Sequence, residues 1–454
     1  MKKAVKSVFL LSLVILIIST VVGCGKKAQV ANGPVEIEMW IMPNSLAPVI
    51  DLNEVLKKFH EANPNIRVKV TSIDWGASWT KIITAAASGD APDIVQLGST
   101  QVASLSALGG GTKLLDLTQK INEVNGGKDA FLAGAQRTMG IEGGDKITSV
   151  PWFVDARALY FRTDVLEKCG VKKTDLDTWD GFEKALGKIK DKKLVINGIK
   201  IEPLGIPGKN DWNVIHNLAP WIWAAGGNFF EPGNKKASLT SEQSINGLEF
   251  YIGLVKKGYV PEECLEQNTS QVEGGFNNGI YAMIFTGSNE LRGLTTPQRQ
   301  GGVMESPVAR NFDIVPYPAG PHGRVTFMGG SNLAIFSTST KQDAAWKVVK
   351  YLASKEAQVE YAKKSGFMPA LKEAFEDPYF SADSKRRVYK TAVSYGQIYP
   401  SIPAWGPLEP VLIRTFGILW DHIISNLDSF NRNDIKSALI DADEQINKRL
   451  KQHE

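Results

Sequence analysis

From Val35 onward, apolar and polar positions alternate and then recur at helical spacing, several times in succession. In "VEIEMWIM", Val35, Ile37, Met39 and Ile41 alternate with Glu36 and Glu38, the pattern of a half-buried strand. After the Pro43-Asn44-Ser45 turn, Val49, Leu52, Leu56 and Phe59 fall three or four apart, which puts them on one helix face until "ANPN" stops it. "IRVKVTSI" alternates again, "WTKIITAAA" is helical, and "APDIVQL" opens a third strand behind Pro92. Strand, helix, strand, helix, strand with short connections predicts a parallel sheet wound with crossover helices, an α/β fold. Ligands of such sheets lie beyond the carboxyl ends of the strands. The segments to watch are therefore 40–45, 72–79 and 98–101. Further along, "SEQSINGLEFYIGLVKKG" is a helix with Ser241 as cap and Gly258 as stop. "STKQDAAWKVVKYLASKEAQVEYAKKSG" and "NDIKSALIDADEQINKRL" are further amphipathic helices. A strand-like "SNLAIFS" between late helices suggests that returning sequence completes one lobe.

The first 23 residues follow another logic. Lys2, Lys3 and Lys6 precede an apolar run from Val8 to Val22, the flanks and length of a secretory leader rather than of a permanent span. Val21-Val22-Gly23-Cys24 resembles the bacterial lipobox, in which cleavage before the cysteine leaves a thiol that carries lipid. Cys24 is then the attachment point and 24–33 a polar tether, giving a protein held on the extracellular face of the cell membrane, or in the periplasm of a Gram-negative host.

Composition adds mostly exclusions. The chain carries a formal charge of +4, and three of its lysines leave with the leader, so the remaining body is nearly neutral. Nucleic-acid binding has no electrostatic support. Cys169 and Cys264 match no zinc spacing, and their pairing stays open. There is no GxxxxGK[ST], no strand-linked GxGxxG and no GxSxG, and the five histidines never pair at zinc-protease spacing. No cofactor or metal is called for. Acidic residues such as Asp155, Asp211 and Glu290 leave a glycoside hydrolase open as the alternative.

Tryptophan is the residue that stands out. Several of the eleven lie in glycine- and proline-rich neighbourhoods, "DWGASW", "VPWFVDAR", "NDWNVIHNLAPWIWAAGG" and "IPAWGPLEP", whereas Trp346 and Trp420 lie on periodic apolar faces. A flat indole covers the apolar face of a pyranose while neighbouring amides and carboxylates bond its hydroxyls. On this ground Trp75, Trp152, Asp211 and Trp212 are candidate ligand contacts.

Six stretches, in order, resemble the family 1 extracellular solute-binding proteins, the sugar-binding lipoproteins of ABC importers related to maltose-binding protein. They are "SGDAPDIVQL", "VPWFVDARALYFRTDVLEKCG" with "TWDGFEKAL", "FNNGIYAMIFTGSNE", "FMGGSNLAIF", "AAWKVVKYLASKEAQ" and "GFMPA". The resemblance implies two α/β lobes, each a mostly parallel sheet flanked by helices, with the ligand cleft between them. One lobe would comprise 34–154 plus 333–368, the other 158–327 plus 372–454, with crossovers at 154–157, 327–333 and 367–371. It implies an oligosaccharide ligand, a membrane permease as partner, a monomer, and binding without turnover. The family's contacts fall on Asn44, Ser45, Thr100, Gln101, Asp155, Arg157, Trp221, Trp223, Ser288, Asn289, Gly329, Gly330 and Trp405, with a structural salt bridge to Asp155 as the other reading of Arg157. The many loop aromatics favour an oligosaccharide over a monosaccharide, and a plant-polysaccharide fragment such as a cello- or xylo-oligosaccharide is the expected example. A polyol or sugar phosphate would fit the same fold, although a phosphate calls for more positive charge.

Overall fold

The computed structural model describes residues 33–110 and 112–452. The leader and Cys24 lie outside the described residues.

The alternating segments pair as their faces require. Strand β1 (Val35–Ile41) lies parallel to β2 (Ile66–Ser72) and to β3 (Ile94–Gly98). Its buried Ile37, Met39 and Ile41 are the alternating apolar set, while Glu36 and Glu38 face water. The first helical stretch is two helices, Pro48–Val55 and Lys57–Ala62, joined at Leu56; Leu52, Leu56 and Phe59 still share the buried face. Asp74 caps the next helix, Trp75–Ser88, by accepting from the amides of Gly76 at 2.8 Å and Ala77 at 3.2 Å. That cap fixes Trp75 at the first helical position, directly beyond β2.

Two long strands then tie the molecule together. Strand β4 (Val150–Arg162) runs through 13 residues, almost all buried. Beyond it come a two-residue hairpin, β5 (Val195–Ile196) and β6 (Ile199–Lys200), then β7 (Glu202–Gly205), β8 (Tyr281–Gly287) and β9 (Phe312–Val315). Strand β10 (Thr326–Ile335) returns antiparallel to β4 and pairs its far end, Ser331–Ile335, with β3. Short β11 (Met368–Pro369) adds to β4 and β12 (Gly396–Gln397) to β10. The spatial order is β2-β1-β3-β10-β4-β8-β7, with β9 also on β4.

The sheet is mixed rather than mostly parallel. The β1–β2, β1–β3, β7–β8 and β10–β12 pairs are parallel, whereas β10 runs against β3 and β4, and β4 against β8, β9 and β11. The cause is the returning chain: β10 fills the slot between β3 and β4 from the opposite direction. Helices cover the faces of the sheet, as two α/β lobes joined by β4 and β10 require. Cys169 and Cys264 are free; the buried Cys264 thiol donates to Ile206 O at 3.2 Å, and burial pushes its pKa up to about 11. Among the described residues no helix is long and apolar enough to cross a membrane.

Candidate functional site

Helix Val214–Ala224 opens beyond β7, and its first turn supplies a polar floor against β4. Arg157, on β4, donates from Nη1 to Asn217 Oδ1 at 2.5 Å and from Nη2 to Asn213 Oδ1 at 2.7 Å. Asn213 and Asn217 are four apart, on one face. Asn217 Nδ2 donates to Asp211 Oδ2 at 3.1 Å, Thr269 Oγ1 donates to the same oxygen at 2.7 Å, and Asn213 Nδ2 donates to Thr269 Oγ1 at 3.1 Å. Arg157, Asp211, Asn213 and Asn217 are all buried. Among the described residues no ion pair joins Arg157 to Asp155, so the salt-bridge reading of Arg157 gives way to an arginine held by two asparagine carbonyls.

An aromatic wall stands beside this floor. The His216 ring stacks on Phe327 with centroids 4.2 Å apart, and the Arg157 guanidinium lies over the same Phe327 ring at 5.7 Å. His216 Nδ1 meets the Tyr399 hydroxyl at 3.1 Å, and its Nε2 lies 3.5 Å from Glu409 Oε1. Glu409 belongs to helix Trp405–Ser425, and its Oε2 accepts from Thr100 Oγ1 at 2.9 Å. Thr100 follows β3, so this contact joins the first lobe to the helix that packs against the second. Burial holds His216 well below its usual pKa, aided by the Arg157 charge, and pushes Glu409 up to about 7.

Over the same wall, Trp212 meets Trp75. Their rings stack with centroids 5.5 Å apart and planes 7° from parallel, and Trp212 also meets His216 edge to face at 6.0 Å. Trp212 is 42% exposed, unusual for so large an apolar side chain. Each tryptophan comes from a different lobe.

Asp155 lies at the other end of the floor. Its Oδ1 is buried without a partner, and burial pushes the carboxyl up to about 6 against the opposing pull of Arg157. A Cβ added to Gly287 would lie 2.7 Å from both Asp155 Oδ1 and Asn289 Oδ1, so only glycine lets the two oxygens converge there. The Ser288 and Ser45 hydroxyls are likewise buried without partners.

The structure therefore groups Trp75, Thr100, Asp155, Arg157, Asp211, Trp212 and Asn289 around the stretch where β4 and β10 cross between the lobes. It does not bring several other expected residues there. Asn44 is committed to Gln96 at 2.7 Å and Tyr361 at 3.1 Å, and Gln101 accepts from Gly98 N at 3.0 Å. Trp152 stacks on Tyr361 at 4.1 Å within the core. Trp221 is 1% exposed, stacked on Tyr251 and edged by Phe285, inside the second lobe. Trp405 and Trp223 are buried one layer behind Tyr399, with Trp405 stacked on it at 4.2 Å. Gly329 is the exception: it pairs with Asp155 across β10 and β4 and lies against the Phe327 ring, so it stays with the site, whereas Gly330 has φ +149° and its missing side chain makes room for Phe153 O. Asn213, His216, Asn217, Phe327, Tyr399 and Glu409 carry the site without having been singled out in sequence. The i, i+4 spacing of Asn213 and Asn217 is a signal for those two alone.

The profile of the bacterial extracellular solute-binding protein family matches residues 54–388. The diacetylchitobiose binding protein DasA of Streptomyces coelicolor is 26% identical over 403 residues, covering 86% of this chain and 87% of that protein. The arabinooligosaccharide-binding protein of Bacillus subtilis is 23% identical over 283 residues, 61% of each. In fold, the GacH receptor of Streptomyces glaucescens, solved unliganded and with acarbose, aligns with TM-score 0.76 at 20% identity, covering 93% of this chain and 100% of that one. Maltose-bound MalE3 of T. maritima gives 0.76 at 23% identity, covering 92% and 99%. These are binding proteins, and the glycoside hydrolase alternative falls with them. A family match across most of the chain, on a fold whose two lobes meet at a polar, aromatic cleft, makes this protein a member of the bacterial extracellular solute-binding proteins.

Proposed function

We propose that the protein captures an oligosaccharide between its lobes and delivers it to the permease of an ABC importer. The observation that carries this reading is the Trp75–Trp212 pair, two rings from opposite lobes facing each other over a floor of amides and carboxylates. Paired indoles suit the apolar faces of a pyranose, and the polar floor suits its hydroxyls. The names of the relatives, which bind diacetylchitobiose and arabinooligosaccharide, support the same class. A cello- or xylo-oligosaccharide is the ligand we favour; a polyol is the smaller alternative, and a sugar phosphate is disfavoured by the excess of carboxylates over cations around Arg157. Entry of a ring requires the two indoles to part, so ligand shifts the open and closed populations by its better contacts in the closed form. The lobes would be 34–154 with 333–368 and 158–327 with 372–454, pivoting at 154–157, 327–333 and 367–371. Continuity of β4 and β10 through both halves supports pivots in those strands.

Trp212→Ala is the direct test. Calorimetric titration with the best ligand of a graded oligosaccharide series should show affinity reduced roughly tenfold or more, from about 1–3 kcal/mol of lost apolar contact. The melting temperature should barely move, because the ring is already half exposed. Unchanged affinity would remove the aromatic clamp from the reading.

Anchoring is proposed on the lipobox resemblance. Wild-type cells fed labelled palmitate should yield labelled, membrane-bound protein, and Cys24→Ala should yield neither; equal labelling of the two would end that proposal.

A further inference from the structure

Beyond the Gly287 end of the site, a pocket opens where helix Ser288–Leu294 meets the chain around Gly366. Gly366, at φ +86°, packs so closely that an added Cβ would lie 2.8 Å from Arg292 Cβ and 2.9 Å from Asn289 Cα. Helices Pro378–Ala382 and Ser384–Ala392 supply the remaining walls with Tyr379, Phe380 and Arg386. The pocket encloses about 330 Å³. Two arginines, Arg292 and Arg386, are in its lining, and no aspartate or glutamate is. It adjoins the site already described, because Ser288 is followed by Asn289, whose Oδ1 converges with Asp155 Oδ1.

Neither arginine has an anion. Among the described residues the arginines in ion pairs are Arg137, Arg162, Arg324 and Arg432. Arg292 Nη1 donates to Thr296 Oγ1, but its Nε is buried without a partner. The Arg386 guanidinium lies 4.1 Å over the Tyr379 ring, which holds it at the pocket without spending its N–H groups. Ser288 is 3% exposed, and its hydroxyl has no partner. The carboxylates of the surrounding helices are engaged elsewhere or face away. Asp377 and Asp383 cap helices, Glu360 pairs with Lys363 at 2.7 Å, and Glu290 is outside the lining. A sugar hydroxyl could accept one of the free N–H groups, but it cannot balance two guanidinium charges. An oxyanion does both, and the arginine fork matches it with two parallel bonds.

We infer that this pocket seats the carboxylate of an acidic sugar, a uronate carried by the oligosaccharide in the adjoining cleft. This rests on the capture reading above and narrows its ligand. Arg292, Arg386 and the Ser288 hydroxyl would donate to the carboxylate, and charge-assisted bonds of this kind are about twice as strong as those between neutral groups. By the lobe boundaries proposed above, Ser288, Arg292 and Arg386 belong to one lobe and Gly366 to the other. Closure on a glycan then completes the pocket around its acid group. A free oxyanion such as inorganic phosphate has the same chemistry, but the pocket's continuity with the polar floor favours an acid that arrives attached to sugar.

The test uses two acidic series, oligogalacturonides and xylo-oligosaccharides with a glucuronate branch, each beside its carboxyl-reduced counterpart, which differs only in a hydroxymethyl for the carboxylate. All are titrated calorimetrically into the full chain at about pH 7, where a uronate is ionised. In at least one series the acid should bind about tenfold or more tighter than its reduced counterpart. Raising the salt to about 0.5 M should shrink that preference. Arg386→Gln and Arg292→Gln should each shrink it severalfold, and Arg386→Lys, which keeps the charge, should retain part of it, with melting curves confirming that the variants fold. Equal or tighter binding of the reduced sugar in both series overturns the assignment and leaves oligosaccharide capture standing. If inorganic phosphate then binds, and Arg386→Gln abolishes that binding, the pocket belongs to a free oxyanion and the acidic-sugar assignment falls. Binding of neither series also overturns it, and if a thermal-shift panel of other neutral glycans is silent too, capture falls as well.

Discussion

Trp221→Ala should lower stability by about 3–5 kcal/mol, the range for truncating a buried large aromatic. Trp221 is 1% exposed and lies against Trp179, Phe182, Phe250, Tyr251, Phe285 and Tyr317, so alanine leaves a cavity in the middle of the second lobe's core. A loss of this size is a large share of the 5–15 kcal/mol that holds most domains together. Denaturant melts of wild type and variant, with titration of the protein that remains folded, separate the two roles the residue could have. We expect a much lower midpoint and oligosaccharide affinity within about twofold of wild type. A variant as stable as wild type that binds weakly would return Trp221 to the cleft.

A second large effect depends on pH. Glu409 has its pKa pushed by burial from an ordinary 4.5 up to about 7, with Thr100 pulling the other way. The folded chain therefore holds this proton more tightly than the unfolded chain. Its contribution is fully present below about pH 4.5 and is lost as pH rises through about 7, and a displacement of this size amounts to about 3 kcal/mol. Glu409→Gln carries no proton to lose. The two proteins should melt together near pH 5, and the variant should be more stable by about 3 kcal/mol near pH 8. Asp155, pushed up to about 6, and Glu273, up to about 7, lose stability over the same window in both proteins. His216, lowered by burial, acts below its ordinary value, and the lowered Glu54, Asp116 and Glu123 act lower still. Melting curves across that range decide the matter: a parallel pH dependence in the two proteins would show that Glu409 is solvated.

Strands β1 and β2 and the helices that follow them were legible because each has one wet face and one dry face, and period alone betrays them; β3 is buried throughout and shows no such period. Period is blind to partners. Nothing in "IVQLG" says that its neighbour is Ser331–Ile335, nor that the neighbour runs antiparallel. The tryptophans show the same limit at the site. Trp212 and Trp221 share one glycine- and proline-rich stretch, yet one is 42% exposed and the other 1%. What separates them is that helix Val214–Ala224 is buried on every side, so its indoles are core whatever their neighbours in sequence. Asp155 and Arg157 were recoverable because they sit in the long crossover strand. Glu409 and Tyr399 were not, because their roles arise only when a late helix folds back beside His216.

The slot that β10 fills sets the order in which the molecule can be assembled. Until Ser331–Ile335 has been synthesised, β3 keeps a bare, apolar edge and half of β4 lacks its partner. Folding cannot proceed lobe by lobe behind the ribosome; the earlier lobe waits for sequence that follows most of the later one. An unpaired hydrophobic edge invites wrong pairings for as long as it lasts. The same delay leaves the earlier lobe short of its final strand until about three quarters of the sequence has been made.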